Sequence, residues 1–413
     1  MRIENCRICK SSELSVILDY GNVALADSFL NGQDEIKAEK KYPLKLCFCE
    51  NCKHLQIDEI IPPELLFKNY VYETGVSKSI LEFADDLCQK LLACHYTNSP
   101  QKQPAVLEIA SNDGTVLSVF QDKGCKVLGI DPAENIVKIA NSRGVKSLAS
   151  FFNLQNANKI LEEYGKWNIC LARNVLAHVS ELHSLVNGIK TVLADDGFAI
   201  VEVPHIKTMF EQLQYDQVFH EHIGFHSFDS LQRLFNMFDM EAFDVEEVWI
   251  HGGSIRVYLQ HKKGPRAISA NVLKMLEMEK NIGLFEKSSW EDFAKKVYAH
   301  KTALQNELNQ LMSNNKKIAI YGASGKGQSL IQFCGLDNTI IKYVVDKSSL
   351  KHHKITPGSH IPIYPTEHIY ENMPDVILLC AWNFADEIVK QEERFISLGG
   401  KILHPLPMPH YLV

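Results

Sequence analysis

The sequence predicts an α/β protein built from several domains. Two stretches show the pattern of a strand, a small-residue turn, a helix and a second strand that ends on an aspartate. The first runs from Ala105 to Asp131 and the second from Lys316 to Asp346. The chain has 413 residues, which is more than the roughly 100 to 200 residues of one ordinary domain. A cysteine-rich head precedes both stretches and predicts a small separate unit at the N-terminus.

Composition and charge argue against some classes of function. Hydrophobic residues make up 46% and charged residues 23% of the chain, which is enough apolar material for normal cores. The formal net charge of −7 offers no broad basic surface, so we expect neither nucleic acid nor a membrane as the main partner. The N-terminus "MRIENCRICK" is charged where a signal peptide is apolar, and no apolar run approaches a membrane span. We therefore expect a soluble cytoplasmic protein.

Four cysteines in the head form two C-x2-C pairs. Cys6 and Cys9 form one pair, and Cys49 and Cys52 form the other. Two such pairs supply four thiolates that close a tetrahedral zinc shell, which leaves no open position for a substrate. The sequence thus predicts a structural Zn²⁺ site, with Cys47 as a buried spare thiol. The alternative is a set of unrelated core cysteines.

The turn after the first strand indicates which ligand the first α/β unit binds. It lacks the G-x-G-x-x-G pattern that brings backbone amides close to a pyrophosphate. It carries carboxylates instead, and these suit a ligand with an amino group and a sulfonium, namely S-adenosylmethionine. Asp131 is placed to bind two ribose hydroxyls. The predicted cofactor-binding residues are Glu108, Ala110, Ser111, Asn112, Asp113, Gly114, Asp131 and Pro132. A parallel α/β unit without this ligand is the alternative.

Further strands are expected at "WNICLAR" and "GFAIVEVP". Between them, Asn174 and His178 are four residues apart, a spacing that puts both on one face of a helix near the expected pocket. We assign Asn174 to the cofactor and His178 to the substrate. A satisfied structural histidine is the alternative for His178.

An ordered set of motifs resembles the sugar C-methyltransferase family over essentially the whole chain. The motifs behind the four-cysteine head are "LEIASNDGT", "ARNVLAHV", "VEVP", "FHEH", "HGGSIRVY", "GASGKG" and "AWNFADEI". The family transfers a methyl group from S-adenosylmethionine to a carbon of a nucleotide-linked 4-keto-deoxysugar. Its members usually have glycine where this chain has Ala110.

The resemblance implies four parts for the chain. They are a zinc-binding domain, a Rossmann-like class I methyltransferase core, a helical linker and a second Rossmann-like domain that helps to hold the nucleotide sugar. We place them at residues 1–65, 66–265, 266–315 and 316–413.

The stretch "DQVFHEHIGFHS", residues 216–227, is rich in histidine. A zinc-protease motif H-E-x-x-H fails here because Gly224 stands where the second histidine is needed. A catalytic metal and a purely structural cluster remain alternatives to acid–base chemistry. A carbon next to a ketone loses a proton to a base with a pKa near neutrality, and histidine is that base. The carbanion then attacks the methyl group on sulfur.

The family's Y-H-E-H signature maps onto residues 219–222. The resemblance implies His222 as general base, Glu221 as a sugar-binding or base-orienting residue and His220 as a substrate contact. Phe219 replaces the family's tyrosine. Either another phenol substitutes, for which Tyr72 is our candidate, or the substrate differs at that position.

Two more stretches are expected near the substrate. The paired glycines of "HGGSIRVY" allow a backbone to approach a ligand closely, and there we assign His251 and Ser254; a plain β-turn is the alternative. The turn "GASGKG" is no Walker A loop, since Lys326 precedes a glycine. Its amides and Lys326 still suit a phosphate, so we assign Ser324, Lys326 and Asn383 to the nucleotide diphosphate. The alternative is a degenerate Rossmann repeat that contributes only to packing.

The sequence therefore predicts a methyltransferase that acts on a carbon, at C-3, of a nucleotide-diphosphate keto-deoxysugar. Three alternatives stay open. One is an O- or N-methyltransferase of a sugar nucleotide, and another is an NAD-dependent nucleotide-sugar oxidoreductase that uses the last domain for its cofactor. The third is a non-catalytic protein that binds a sugar nucleotide, which the Phe219 departure leaves open.

Overall fold

The computed structural model describes residues 2–67, 78–98, 103–249 and 252–413. It contains three β-sheets, one near each end of the chain and one in the middle. The predicted α/β class with a small N-terminal unit and two Rossmann-like sheets is confirmed. Within these described residues, no helix has both the length and the apolar character needed to cross a membrane.

The N-terminal unit is an antiparallel sheet with two short helices. Its elements are β1 (Leu14–Ala24), α1 (Gln33–Ala38), β2 (Lys41–Cys49), β3 (Leu55–Ile57) and α2 (Pro63–Phe67). β1 pairs with β2 and β2 with β3, both antiparallel. The inner half of β2 is buried continuously because it lies between these two strands and carries apolar residues and cysteines.

The middle domain is a seven-stranded sheet with helices. Its helices are α3 (Lys78–Asn98), α4 (Thr115–Asp122), α5 (Glu134–Ser142), α6 (Leu154–Tyr164), α7 (Leu182–Val192), α8 (Ile206–Glu211) and α9 (Phe228–Asn236). The strands of the sheet are β4 (Ala105–Ile109), β5 (Lys126–Asp131), β6 (Ser147–Ala149), β7 (Trp167–Arg173), β8 (Leu193–Pro204), β10 (Met240–Val248) and β11 (Ser254–His261). The same part of the chain also carries the two-residue strand β9 (Gly224–Phe225).

The strand order of this sheet is β10-β11-β8-β7-β4-β5-β6. The five strands from β8 to β6 are parallel, and β11 is antiparallel to both of its neighbours. The chain order reverses between β4 and β7, and such a reversal opens a crevice at the carboxyl ends of the strands. The β9 strand lies outside this sheet and pairs with β3, so it forms the fourth strand of the N-terminal sheet.

Two helices, α10 (Ala270–Ile282) and α11 (Lys287–Ser313), occupy most of the predicted linker. Ser269 caps α10, and Gly283 ends it in a left-handed conformation (φ 86°) that glycine adopts without strain. The buried Glu279 of α10 accepts hydrogen bonds from the Phe228 and Asp229 amides at the start of α9 and contacts His205 at 2.7 Å. These bonds fix α10 against the middle domain.

The C-terminal domain is a second parallel sheet. Its elements are β12 (Ile318–Tyr321), α12 (Gly325–Phe333), β13 (Val344–Val345), β14 (Ile363–Tyr364), α13 (His368–Glu371), β15 (Val376–Leu379), α14 (Ala385–Gln391), α15 (Glu393–Ser397), β16 (Lys401–His404) and β17 (His410–Tyr411). The strand order is β14-β13-β12-β15-β16-β17, and only β17 is antiparallel.

The N-terminal sheet, α11 and the C-terminal sheet share one hydrophobic core. Tyr215 lies in this core, where its hydroxyl contacts His300 Nδ1 at 3.0 Å and its carbonyl accepts a hydrogen bond from Tyr20. Because the shared core joins the two ends of the chain, both ends reach the crevice of the middle domain.

Candidate active site

A cavity of about 660 Å³ lies where the N-terminal unit, the middle domain and the C-terminal domain meet. It covers the carboxyl ends of β4, β5 and β7, at the reversal of the strand order. The predicted site residues in its wall are Glu108, Ala110, Ser111, Asn112, Asp131, Pro132, Asn174, His178, Glu221, His222, Ser324, Lys326 and Asn383. Tyr72 and His251 lie outside the described residues.

The turn after β4 approaches the cavity through strained backbone. Ala110 and Asn112 both have left-handed dihedral angles, with φ of 54° and 50°. For a residue with a Cβ this conformation costs about 1–2 kcal/mol, which explains physically why glycine is the usual residue at the position of Ala110. The predicted close approach of the turn is therefore present, but the alanine is strained.

Asp131 is the last residue of β5, and two backbone amides bind its carboxylate. The Asn112 and Ala133 amides donate to its two oxygens at 3.0 Å and 2.9 Å. Burial nevertheless raises the pKa of Asp131 above its usual value. The carboxylate is fixed in place by backbone donors and has acceptor capacity left for the hydroxyls of a ribose.

Glu108 lies deeper, beside the side chain of Arg173, whose Nη1 is 3.6 Å from its Oε1. Burial raises the pKa of Glu108 to about 8. A cationic ligand group next to Glu108 favours its ionised form, since opposite charges stabilise one another.

The buried polar atoms of the cavity wall that have no hydrogen-bond partner within the described part of the chain include three acceptor oxygens, Ser111 Oγ, Asn174 Oδ1 and Glu108 Oε2. Buried polar atoms are normally paired. Together with Asp131 they fit a polar ligand with hydroxyl and ammonium donors, as S-adenosylmethionine is.

Asp113 and Gly114 do not line the cavity, contrary to expectation. The Asp113 carboxylate accepts hydrogen bonds from Arg143 Nη1 (2.9 Å) and Thr115 Oγ1 (2.7 Å). It therefore stabilises the first turn of α4 and faces away from the cofactor side. Of the two carboxylates at this turn, only that of Glu108 is therefore available to interact with a cationic group of the ligand.

Asn174 and His178 both line the cavity, but not on a helix. Asn174 has a φ of 52°, which is incompatible with a right-handed helix, and its amide donates to the Glu202 carbonyl at 2.7 Å. His178 follows in a turn, and burial lowers its pKa to about 4. The ring is therefore neutral near neutral pH.

His222 lies between two rings in the cavity wall. Its centroid is 4.2 Å from that of Phe219 and 4.8 Å from that of His178. Its Nδ1 is 2.9 Å from the carbonyl oxygen of Gln217. Because a carbonyl only accepts, Nδ1 carries the proton in the neutral ring, and Nε2 is the atom with the basic lone pair.

The segment that carries His222 is a turn followed by the short strand β9. The amides of Ile223 and Gly224 donate to the Ala177 carbonyl at 2.7 Å and 3.2 Å. A Cβ on Gly224 would lie 2.9 Å from Arg7 Nη1, which is too close. Glycine is needed here for packing against the N-terminal unit.

The assignment of His220 as a substrate contact is not supported by its position. Its ring is 1% exposed and its Nε2 lies 3.0 Å from the Pro43 carbonyl of β2. In this irregular turn, His220 faces the N-terminal sheet while Glu221 and His222 face the cavity. Ser254 is likewise buried at the start of β11, outside the cavity wall.

Paired glycines before β11 approach protein side chains closely. A Cβ on Gly252 would lie 3.0 Å from the ring of Trp382, and one on Gly253 would lie 2.5 Å from Thr208 Oγ1. Their described neighbours are therefore the C-terminal domain and α8.

Asp27 is a wall residue that the sequence did not single out. It follows β1; burial and then the neighbouring Asp27 carboxyl group raise the pKa of Glu221 well above its usual value. No motif surrounds Asp27, and the two residues are far apart in the sequence.

The C-terminal domain closes the cavity with the first turn of α12. Ser324 caps this helix by accepting a hydrogen bond from the Gly327 amide at 3.1 Å. Lys326 extends over the ring of Trp382 at 5.0 Å, beside the buried Asp216, which accepts a hydrogen bond from Trp382 Nε1 at 2.6 Å. Burial lowers the pKa of Lys326, and the Asp216 charge opposes that effect.

The four predicted metal ligands come together in the N-terminal unit. The sulfur atoms of Cys6, Cys9, Cys49 and Cys52 all lie within 4.8 Å of one another. A tetrahedral zinc with Zn–S bonds of about 2.3 Å needs sulfur–sulfur distances of about 3.8 Å, so the four thiols fit such an ion. Cys47 lies apart on β2, where burial raises its pKa to about 12.

Three family models match consecutive parts of the chain. Residues 6–67 match a zinc binding domain, residues 80–244 a methyltransferase domain and residues 249–407 a C-methyltransferase C-terminal domain. Together with the cofactor side of the cavity and the four-cysteine cluster, these matches define the class as a zinc-binding methyltransferase that uses S-adenosylmethionine.

A curated relative extends over nearly the full chain. The C-methyltransferase NovU of Streptomyces niveus is 31% identical over 413 residues, covering 99% of this chain and 97% of that protein. The chain belongs to this family of C-methyltransferases.

Solved structures are also similar to part of the chain. The PH0226 protein of Pyrococcus horikoshii OT3 is 16% identical and covers 49% of this chain and 100% of its own, with a TM-score of 0.37. The magnesium protoporphyrin IX methyltransferase of Synechocystis PCC 6803 with bound S-adenosylmethionine is 10% identical and covers 43% and 79%, with a TM-score of 0.32.

The metal site predicts a clear difference between two cysteine variants. Cys52→Ser removes one ligand of the tetrahedron, so we expect zinc content to fall well below about one ion per chain and the N-terminal unit to lose stability. Cys47→Ser is the control, because Cys47 is outside the cluster, and it should keep the zinc. Metal analysis of protein purified without chelators measures both. Equal zinc content in the two variants would contradict the assignment.

The strained turn predicts that Ala110→Gly is stabilising. Relief of about 1–2 kcal/mol of left-handed strain exceeds the roughly 0.5–1 kcal/mol entropic cost of glycine, so the free energy of unfolding should rise by up to about 1 kcal/mol. Ala149→Gly in β6 is the control and should lower it. Denaturant unfolding compares the two, and a similar loss in both would refute the strain at Ala110.

Proposed function

We propose that the chain methylates C-3 of a nucleotide-diphosphate-linked 4-keto-deoxysugar, with His222 as the general base. The observation that carries this proposal is the position of His222. Its Nδ1 is fixed by the Gln217 carbonyl, which leaves Nε2 as the basic atom of a ring in the wall of the cofactor cavity. A carbon acid needs such a base within reach of the methyl donor.

The surroundings of His222 favour proton abstraction from carbon. His178 next to it is neutral because burial lowers its pKa to about 4, so it places no positive charge beside the base. The apolar ring of Phe219 packs against His222, with ring centroids 4.2 Å apart. S-adenosylmethionine supplies an electrophilic methyl group when it is bound. The protein has to deprotonate, orient and exclude water.

Phe219, which stands at the position of the family's tyrosine, packs against the C-terminal domain. Its ring packs against the turn of the C-terminal domain, where a Cβ on Gly325 would lie 3.0 Å from Phe219 Cε2. The aromatic ring therefore helps to close the cavity. Stabilisation of the keto oxygen falls to other polar groups.

The C-terminal wall suits the diphosphate of a nucleotide sugar. Ser324, Gly325 and Lys326 at the start of α12 line the cavity together with Asn383, and the amides of a helix start suit a phosphate. Asp216 beside Lys326 compensates part of the lysine charge, so we expect moderate binding of the diphosphate.

Contact between Phe219 and the glycine turn argues against the oxidoreductase alternative. A dinucleotide pyrophosphate in a Rossmann domain lies directly against that turn, but here the aromatic ring of the middle domain covers it. The family membership favours carbon over oxygen or nitrogen as the acceptor.

A panel of 4-keto nucleotide sugars with isotope-labelled methyl donor tests the substrate. We expect a mass gain of one methyl group, a new C–CH3 signal and a retained ketone. The matched 4-hydroxy sugars should not react, because their C-3 hydrogen is not acidic. A methyl ether or methylamine product would instead establish an O- or N-methyltransferase.

The general base is tested by exchange of the sugar's C-3 proton with solvent deuterium. With S-adenosylhomocysteine in place of the donor, His222→Ala should lower the exchange rate by about 10²- to 10⁴-fold, as loss of a general base does. His410→Ala, on the exposed β17, is the control and should exchange normally. Exchange of His222→Ala at the wild-type rate, with cofactor affinity intact, would exclude this role.

A further inference from the structure

One peptide unit determines which ring nitrogen of His222 carries the proton. The unit joins Gln217 to Val218, and its carbonyl oxygen lies 2.9 Å from His222 Nδ1. Its N–H donates to the Tyr215 carbonyl at 3.1 Å, which closes a short 3-10 turn. Both polar groups of the unit are therefore hydrogen-bonded, and its carbonyl faces the histidine.

The orientation of this unit matters because its two polar groups have opposite effects on the ring. The C=O and N–H of a planar trans peptide unit point in opposite directions, so rotation of the plane by half a turn would direct the Val218 N–H toward His222. Nδ1 would then have to accept, and the proton of the neutral ring would move to Nε2. A ring in that tautomer has no lone pair on Nε2 with which to take a proton.

Two hydroxyl groups from opposite ends of the chain bind the backbone on either side of this unit. The phenol of Tyr20 in β1 donates to the Tyr215 carbonyl at 2.7 Å, and the same carbonyl accepts from the Val218 amide. The hydroxyl of Ser329 in α12 donates to the Val218 carbonyl at 2.6 Å. The first bond holds the acceptor of the unit's N–H in place, and the second holds the next peptide unit, so both oppose the rotation.

Burial strengthens the effect of these two hydroxyl groups. Tyr20 and Ser329 are 7% and 6% exposed, and Tyr215 and Val218 are fully buried. Burial also raises the pKa of Tyr20 well above its usual value, so its phenol keeps the proton that it donates. Water has little access to the segment, and the loss of a buried donor is costly because its acceptor is left without that bond.

We propose that Tyr20 and Ser329 are positioning residues for the general base. They hold the peptide unit between Gln217 and Val218 so that His222 keeps its proton on Nδ1 and its lone pair on Nε2. This inference rests on the proposed function, in which Nε2 takes the C-3 proton and the electrons of the C–H bond pass to the enolate. Neither hydroxyl group belongs to the cavity wall, so both act through the backbone and touch no reacting atom.

The tautomer is measured first, by NMR of substrate-free protein with isotope-labelled histidine, because protonated and unprotonated ring nitrogens give separate signals. The His222 signals are those lost in His222→Gln. At a pH where the ring is neutral, wild type should carry the proton on Nδ1. Tyr20→Phe and Ser329→Ala should each lower the ratio of the Nδ1–H form to the Nε2–H form by about 5- to 30-fold, the effect of losing one buried hydrogen bond. In the double variant the two effects should multiply to about 10²-fold.

Variants that remove other hydroxyl groups are the matched controls. Tyr298→Phe in α11 and Ser397→Ala in α15 each remove an exposed hydroxyl group and should leave the tautomer ratio unchanged. Ser329→Thr keeps a hydroxyl group at the contact and should retain most of the wild-type ratio. A wild-type proton on Nε2 overturns the proposal, and so does an unchanged ratio in the Tyr20→Phe, Ser329→Ala double variant.

Kinetics then connect the tautomer to the reaction. Because neither hydroxyl group contacts a ligand, KM and the affinity for S-adenosylhomocysteine should stay nearly unchanged in the double variant. Its kcat and its rate of C-3 proton exchange should both fall by the factor by which the fraction of the Nδ1–H form falls. A loss of kcat without a change of tautomer would show a merely structural role and overturns the proposal.

The positioning role and the proposed function fail in different ways. If the tautomer ratio responds as expected but no 4-keto sugar is methylated, the proposed function is refuted and the control of the tautomer by the two hydroxyl groups stands. If 4-keto sugars are methylated through His222 but the ratio does not respond to Tyr20→Phe and Ser329→Ala, only the positioning role is refuted.

Discussion

The short strand β9 is the constraint on which the active site depends. It pairs with β3 through Leu55 and Phe225 and through Gln56 and Gly224, and β3 begins three residues after the metal ligand Cys52. His222 stands two residues before β9. The segment that carries the proposed base therefore continues into an edge strand of the N-terminal sheet, and its partner strand β3 begins a few residues after the zinc site.

Charge compensation is the second general feature of the cavity. Several charged groups in or beside its wall lie near an opposite charge: Glu108 near Arg173, Lys326 near Asp216 and Asp27 near Lys351. Burying an unpaired charge is expensive, so these pairings lower the cost of burying charged groups at the cavity.

Backbone strain is concentrated around the same cavity. Ala110, Asn112 and Asn174 are all left-handed, and each follows the end of a buried parallel strand. Strain of this kind persists only where surrounding structure holds it. Here β4 and β7 are hydrogen-bonded along their length in the middle of the sheet. The strain lets the strand ends turn sharply and expose backbone and small side chains to the cofactor.

The sequence by itself determined the features that depend on local patterns. The C-x2-C spacing gave the four metal ligands, and the strand, turn and helix pattern ending in Asp131 gave the cofactor side, because spacing and periodicity are written along the chain. Tertiary structure alone decided which side chains point where in irregular segments. His220 and His222 are two residues apart and face different neighbours, the Asp113 carboxylate binds Arg143, and Asp27 lies near Glu221 of another domain. Contacts between residues far apart in the chain have no local signal, so only the packing of the three units reveals them.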